Sequence, residues 1–324
     1  MRHLFTEKNN MTGGVPMNWS REDKLRNINR LAVCSLALLC LTLSCRLHAQ
    51  DGLPSRPLPD RVTAGAVFVD NKRPADTVSI PEEVIPEAFR QLKENDLNDS
   101  LGILHPFWEK LRLTRLGIST DTLRILHVGD SHVRGHVFPQ TAGQLMRQTF
   151  RQISYVDMGI NGATCVTFAR ADRIAEIASL NPDLLILSFG TNESHSRGYV
   201  SLSHYRQMDD LVRMLRDSLP EVPMLMTTPP GSYESFGRRR RRTYKVNPRT
   251  AVAVRTIRRY ADENGLAVWD MYGILGGVRR ACLNWQEAGL MRPDHVHYMP
   301  EGYQLQGRLF YQALLKAYND YVEY

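Results

Sequence analysis

Short apolar runs alternate with amphipathic periods along most of the chain. The runs at 123–129, 154–159, 183–189, 223–228 and 266–270 predict five strands. Helical periods lie between them at about 139–152, 169–180, 203–218 and 249–264, and a final helix begins near Pro300. Strands that are apolar on both faces and separated by helices are typical of a parallel sheet covered on both sides. The pattern therefore predicts an α/β fold, a three-layer α/β/α sandwich around a parallel five-stranded sheet.

The chain before this pattern is different in character. Residues 50–100 are rich in Pro, Asp, Asn and Arg and lack a long apolar period, which predicts an extended N-terminal lead-in with one short helix near 86–94. Residues 101–324 form the predicted folded domain. No internal repeat or coiled-coil heptad is visible.

The first 49 residues have the layout of a signal peptide. A basic flank precedes fifteen uncharged residues, 31–45, and Leu47, His48 and Ala49 provide a small-residue cleavage pattern. The uncharged run is shorter than the roughly 20 residues that a bilayer span needs. We therefore expect cleavage near Ala49 and export to the periplasm or cell surface, with no transmembrane segment afterwards. A lipoprotein anchored through Cys45 is an alternative, but Thr42-Leu43-Ser44 is a poor lipobox; the start codon, Met1 or Met17, stays open.

Charge and cysteine content limit the classes of protein to which the chain can belong. The whole chain has a net charge of +7, but residues 50–324 carry 34 Lys/Arg against 31 Asp/Glu, so much of the basicity lies in the N-terminal segment. Of the five cysteines, only Cys165 and Cys282 lie outside residues 1–49, which excludes a disulfide scaffold and leaves one disulfide open.

A second source of basicity is one arginine run after the fourth predicted strand. It is either a solvated loop or a contact for an anionic polymer or surface. Nucleic acid is not expected, because an exported chain without interleaved aromatic residues lacks the means to stack bases. The run consists of Arg238, Arg239, Arg240, Arg241 and Arg242.

Candidate chemistry begins in "HVGDSHVRGH", residues 127–136, directly after the first predicted strand. Ser131 is a candidate nucleophile, although a serine after an aspartate at a strand end is commonly a helix N-cap. A serine nucleophile needs a base, an acid that orients the base, and donors for the developing oxyanion. Asp294 and His297, three residues apart before the last helix, are candidates for the acid and the base. His295 is the main rival for the base.

Oxyanion donors are expected from the loops at the carboxyl ends of the strands, where ligands bind in open sheets. The candidates are the backbone N–H of Ser131, the backbone N–H of Gly162 and the side-chain amide of Asn192. Judged alone, Gly162 and Asn192 are equally compatible with tight turns. Asp130 is expected to hold the turn through backbone hydrogen bonds rather than to serve as a second acid.

Several histidines invite a metal hypothesis. His127, His132 and His136 are close in sequence, yet no Cys or Glu pair completes a ligand set around them. We therefore predict neither a metal nor another cofactor.

Taken together and in order, "GDSH", the glycine of "GINGAT", "GTNE" and "DHVH" resemble the four blocks of the SGNH, or GDSL-like, hydrolases, over about residues 103–320. The resemblance implies an SGNH-hydrolase, flavodoxin-like fold with Ser131 as nucleophile, His297 as base and Asp294 as its orienting acid. It also implies Gly162 and Asn192 as oxyanion donors beside Ser131. The departure is His132, where many members have leucine.

The form "GDSH" is similar to the branch that contains bacterial extracytoplasmic carbohydrate O-acetylesterases, including peptidoglycan O-acetylesterases; "TTPPGSY" and "GYQLQG" resemble secreted members of it. The resemblance implies an exported serine esterase, an acetylesterase acting on a carbohydrate such as cell-wall peptidoglycan. Between Ser131 and Asn192 there is no room for the carbohydrate-binding domain that some members insert. A lipase or thioesterase of the same fold, and a non-catalytic glycan-binding protein, are the alternatives.

Overall fold

A six-stranded sheet forms the centre of the computed structural model, which describes residues 76–238 and 241–323. The five predicted strands are confirmed to within two residues at each end. The strands of this sheet are β1 (Leu97–Asn98), β2 (Leu123–Gly129), β3 (Ile153–Gly159), β4 (Leu184–Ser188), β5 (Met224–Thr227) and β8 (Ala267–Trp269).

The order of strands in the sheet is β1-β8-β5-β4-β2-β3. All neighbours pair in parallel except β1, which pairs antiparallel to β8 with Leu97 opposite Trp269. The predicted number of five strands is therefore one too few. The sixth strand has only two residues, too short for a pattern of alternation to reveal it. The five parallel strands follow the flavodoxin-like order 2-1-3-4-5, whose switch point lies here between β2 and β4.

Helices cover both faces of the sheet, and every helix predicted around it is confirmed. Pro248–Asn264 illustrates why the ends fall where they do. Asn247 caps the helix by accepting a hydrogen bond from the Arg249 N–H, and Gly265 ends it with φ of 61°. The helices are α1 (His105–Arg115), α2 (Ser131–Arg134), α3 (Val137–Phe150), α4 (Cys165–Phe168), α5 (Ala171–Ser179), α6 (Thr191–His195), α7 (Ser201–Ser218), α8 (Pro248–Asn264), α9 (Met271–Ile274), α10 (Gly277–Glu287) and α11 (Pro300–Glu323).

The two faces of the sheet contribute to two separate apolar clusters, as the alternation of side chains along β2 illustrates. Ile125 packs in one cluster with residues of α1, α3 and α11, including Phe138 and Phe310. Leu126 and Val128 pack in the other cluster with residues of α5, α7 and α8. Successive residues of a strand point to opposite faces, so a strand with a layer of helices on each side is apolar throughout.

The described part of the lead-in, residues 76–100, packs on the first cluster through Val78 and Phe89. The helix expected near 86–94 is wrong: this segment has only a turn, and Gln91 has φ of 54°, which a helix does not allow. Its backbone groups bond elsewhere, since Arg90 N–H donates to Asn284 Oδ1 at 3.0 Å and Lys93 N–H donates to Ile274 O at 2.9 Å. The boundary proposed at residue 100 stays a prediction.

An antiparallel hairpin that the sequence pattern did not predict follows β5. Its strands are β6 (Tyr233–Phe236) and β7 (Thr243–Val246), and Arg238, Arg241 and Arg242 lie exposed in the connection between them. Arg239 and Arg240, like the whole segment 1–75 with its predicted signal peptide and Cys45, lie outside the described residues. Among the described helices, none combines the length and the apolar sequence that a bilayer crossing requires.

Candidate active site

Ser131 lies where β2 ends, as the first residue of the short helix α2. Asp130 caps this helix: its Oδ1 accepts a hydrogen bond from the His132 N–H at 2.9 Å, the turn-holding task expected of it. Burial, at 2% exposure, raises the pKa of Asp130 to about 7. Gly129 allows the close packing beneath, because an added Cβ would lie 2.5 Å from Val133 Cγ2 and 2.6 Å from Ser188 O.

The structure brings Ser131 together with the predicted base and acid from the loop before α11. His297 Nε2 lies 2.9 Å from Ser131 Oγ, and His297 Nδ1 lies 3.0 Å from Asp294 Oδ2. The other oxygen, Asp294 Oδ1, accepts hydrogen bonds from the backbone N–H groups of Val296 and His297, each at 2.9 Å. Although partial burial raises the pKa of Asp294, these bonds together with that to the His297 ring leave it below the usual value.

His295, the rival base, faces away from Ser131. Its ring lies against the β6–β7 hairpin, 4.0 Å from the Tyr244 ring and 5.4 Å from the Tyr233 ring between centroids. The backbone of His295 has φ of 58°, which directs this side chain to the hairpin while His297, two residues later, reaches the serine.

The three predicted oxyanion donors line one cavity of about 670 Å³ together with His297. Gly162 has φ of 75°, in the left-handed region that favours glycine. Among the described residues, the backbone N–H groups of Ser131 and Gly162 have no protein acceptor. Asn192 donates one N–H to Ala163 O at 2.8 Å. Its contact with Asp130 Oδ2 is 3.5 Å long, so a second amide hydrogen remains available for a ligand.

Glu193 is a structural part of the site that the sequence analysis missed. Its Oε2 accepts a hydrogen bond from the Gly190 N–H and its Oε1 accepts one from the Cys165 N–H, both at 2.9 Å. The buried carboxylate thus ties the loop after β3 to the loop after β4, the two loops that carry Gly162 and Asn192. Glu193 occupies the position of the capping glutamate in "GTNE", but the cap is Gly190, which has no side chain, so only half of the usual capping-box signal was available.

The three histidines near Ser131 have separate partners. His127 is buried between Tyr155 OH at 2.9 Å and Ser188 Oγ at 2.6 Å, and burial lowers its pKa to about 3. His132 Nδ1 lies 2.9 Å from Tyr303 OH, and burial likewise lowers the pKa of His132 to about 3.

His136, the third, has φ of 66°. Its Nδ1 bonds to the Asp157 carboxylate, and its Nε2 lies 2.6 Å from Nη1 of Arg134. The rings of these three histidines therefore have no protein partner in common.

A different group has the donor types of a metal site. Within the described residues, one atom each of Cys165, Glu193 and His204 lies within 4.8 Å of the others. Both oxygens of Glu193 already accept backbone hydrogen bonds. The disulfide that the sequence left open does not form, since Cys165 and Cys282 are buried free thiols.

Comparisons with known proteins agree with this architecture. The model of the GDSL-like lipase/acylhydrolase family matches residues 127–305. No curated protein sequence matches the chain.

Among solved structures, a peptidoglycan O-acetylesterase superposes with a TM-score of 0.61 at 19% identity, over 71% of this chain and 100% of that one. A lipase/acylhydrolase from Enterococcus faecalis has a TM-score of 0.44 at 20% identity, over 60% and 96% of the two chains. A GDSL-like lipase from Bacteroides thetaiotaomicron has a TM-score of 0.45 at 18% identity, over 66% of this chain and 99% of that one. At 19% identity the first of these structures shows the shared fold alone.

The family match spans more than half of the chain, from the end of the first long strand into the last helix, and so includes all four loops of the site. The chain therefore belongs to the GDSL-like lipase/acylhydrolase family, whose members are ester hydrolases.

Proposed function

We propose that this protein is an exported serine esterase that removes O-acetyl groups from a carbohydrate, with cell-wall glycan as the leading substrate. The observation that carries the proposal is the continuous chain from Ser131 Oγ to His297 Nε2 at 2.9 Å and from His297 Nδ1 to Asp294 at 3.0 Å. A hydroxyl within hydrogen-bond reach of an imidazole that is itself oriented by a carboxylate is the arrangement of an activated nucleophile.

In the proposed reaction, Ser131 Oγ attacks the acetyl carbonyl carbon while His297 Nε2 takes the hydroxyl proton. The negative charge that develops on the carbonyl oxygen is stabilised by the N–H groups of Ser131 and Gly162 and by the Asn192 amide. His297 then gives its proton to the departing sugar oxygen. Water, deprotonated by the same imidazole, hydrolyses the acetyl-serine and releases acetate.

Two features favour a short acyl group on a polar substrate. The cavity lining combines Arg134, Asn161 and Arg292 with a small apolar part, and this apolar part suits an acetyl group better than a long acyl chain. The apolar side chains are Val137 and Val296, with the ring of Tyr303. The fold shared with a peptidoglycan O-acetylesterase over the whole length of that protein supports the same class of substrate. Export rests on the sequence of residues 1–49, and Arg238–Arg242 stay a proposed contact for an anionic surface.

Hydrolysis of 4-nitrophenyl esters of increasing chain length by the purified protein, with acetate release from acetylated glycans, tests the proposal. We expect the acetyl ester to be the best chromogenic substrate and the Ser131→Ala variant to be inactive on all of them. Wild-type rates in that variant would contradict the role of Ser131. A preference for octanoyl over acetyl esters would point to a lipase, and glycan retention without release of any acyl group would point to a binding protein.

A further inference from the structure

Two arginines line the cavity that contains Ser131, His297 and the oxyanion donors. Arg134 lies three residues after Ser131 on the same short helix, α2, so the two side chains share a helix face. Arg292 belongs to the loop of the base, where its backbone N–H donates to His297 O at 2.8 Å. The two guanidinium groups therefore belong to the two different segments that supply the nucleophile and the base.

The charge of these arginines is not balanced inside the cavity. Within the described part of the chain, neither Arg134 nor Arg292 forms a salt bridge with a carboxylate, and no Asp or Glu lines the cavity. Asp294 is the acidic residue nearest in sequence to Arg292. Its carboxylate accepts hydrogen bonds from the His297 ring and from two backbone N–H groups. Two positive charges on the wall of a cavity that no carboxylate lines create a positive potential there, which attracts an anionic substrate.

Arg134 is also held in place. Its Nη1–H donates to His136 Nε2 at 2.6 Å, so that His136 Nδ1 carries the proton and donates to Asp157. Asp157 lies behind the imidazole and does not line the cavity. His136 has φ of 66°, a backbone conformation that is unfavourable for a residue other than glycine. The contacts of its ring with Arg134 and Asp157 hold the side chain in this position.

We infer that Arg134 and Arg292 bind a carboxylate of the substrate, so that the preferred substrates are O-acetylated acidic sugars; this inference rests on the function proposed above. Guanidinium groups suit this task because their planar N–H donors match the geometry of a carboxylate. The carboxylate is either attached directly to the sugar ring, as in a uronic acid, or carried on an ether side chain, as in muramic acid.

Two matched pairs of esters test the inference and separate these sources. One pair is methyl 3-O-acetylglucuronide and methyl 3-O-acetylglucoside; the other is 6-O-acetyl-N-acetylmuramic acid and 6-O-acetyl-N-acetylglucosamine. We expect kcat/KM for acetate release to favour the acidic member of at least one pair by roughly tenfold. The preference should shrink at about 1 M salt, where the Debye length is only ~3 Å.

Variants assign the preference to the arginines. In Arg134→Gln and in Arg292→Gln the ratio of acidic to neutral kcat/KM should fall severalfold, and in Arg292→Glu it should invert. Arg147→Gln is the matched control, since Arg147 is exposed in the last turn of α3 and does not line the cavity.

Equal kcat/KM within both pairs, or a preference that survives in all three variants, overturns the inference while leaving the esterase in place. If the wild type hydrolyses none of the four esters and does not hydrolyse 4-nitrophenyl acetate either, the proposed function is overturned and this inference with it.

Discussion

The two halves of the site are held in different ways. Ser131, Gly162 and Asn192, here called the strand-end half, follow three neighbouring strands of the sheet, β2, β3 and β4. Asp294 and His297, the loop half, belong to a connection before α11 that is held by its own hydrogen bonds, such as Arg292 N–H to His297 O at 2.8 Å. The aspartates beside the two halves differ in exposure: Asp130, next to Ser131, is 2% exposed, whereas the Asp294 side chain is 49% exposed.

The two halves therefore differ in what they contribute: one positions the serine, and the other contains the imidazole that is proposed to take its proton. Close packing around Gly129 and Asp130 fixes Ser131, the proposed nucleophile, and an exposed loop supplies His297, the proposed base, with Asp294 to orient it. An aspartate in the first environment has its pKa raised to about 7 by burial, whereas in the second environment hydrogen bonds offset the smaller effect of burial and lower the pKa. The same residue type is therefore structural in one half and oriented towards the base in the other.

The largest expected effect comes from removing the reacting group of either half. Ser131→Ala and His297→Ala should each lower kcat for 4-nitrophenyl acetate by roughly 10⁴-fold or more, because attack requires both groups at once. For the same reason the double variant should be no slower than the slower single variant. Steady-state kinetics, with circular dichroism to confirm folding, measure this. Ser218→Ala, at an exposed helix end, is the control. Losses that multiply in the double variant would mean that the residues act independently.

A smaller loss is expected within the loop half alone. Asp294→Asn keeps an oxygen for the Val296 and His297 N–H groups but no longer stabilises a positive charge on the His297 ring, so kcat should fall by roughly 10³-fold. The midpoint of unfolding should change little, since the side chain is half-exposed. A kcat within tenfold of the wild type, measured on the same ester, would show that the carboxylate does not support the base.

The strand-end half was the more predictable from sequence. Long apolar strands and amphipathic helices are repetitive signals, so β2 was predicted as 123–129 and lies at Leu123–Gly129. The parallel order then placed Ser131, Gly162 and Asn192 at one edge of the sheet. Short elements carry no such signal: β1 has two residues, and the β6–β7 hairpin was missed although it receives the His295 ring.

The loop half depends on backbone torsion angles that sequence periodicity does not encode. The choice between His295 and His297 is made by φ of 58° at His295 and by the hydrogen bonds of Asp294. Glu193 likewise accepts a hydrogen bond from the Cys165 N–H, and His136, which places Arg134, bonds to Asp157. Both arrangements depend on contacts between segments that lie apart in the sequence. Resemblance of motifs pointed to the proposed reacting residues and to Asp294, but it did not point to Glu193 or His136.

The smallest expected effect concerns the stability of the fold. It compares the two halves directly, because the same Asp-to-Asn change is made in each. Because burial raises the pKa of Asp130 from 3.8 to about 7, the folded state holds a proton between these values that the unfolded state has released. The stability contributed by this proton is therefore complete below about pH 4 and declines as the pH rises to 7, at a rate on the order of 1 kcal/mol per pH unit.

The asparagine of Asp130→Asn cannot lose a proton. The free energy of unfolding of this variant, measured in urea titrations, should therefore increase steadily relative to that of the wild type between pH 4 and 7. Asp294→Asn should run parallel to the wild type from pH 5 to 7, because a lowered pKa confines its contribution to more acid solution. If the Asp130→Asn profile were also parallel, the carboxyl beside Ser131 would be ionised throughout this range. The strand-end half would then contain a buried negative charge next to the nucleophile, and the Asn192 amide, 3.5 Å from Asp130 Oδ2, would be drawn to that charge rather than to the substrate.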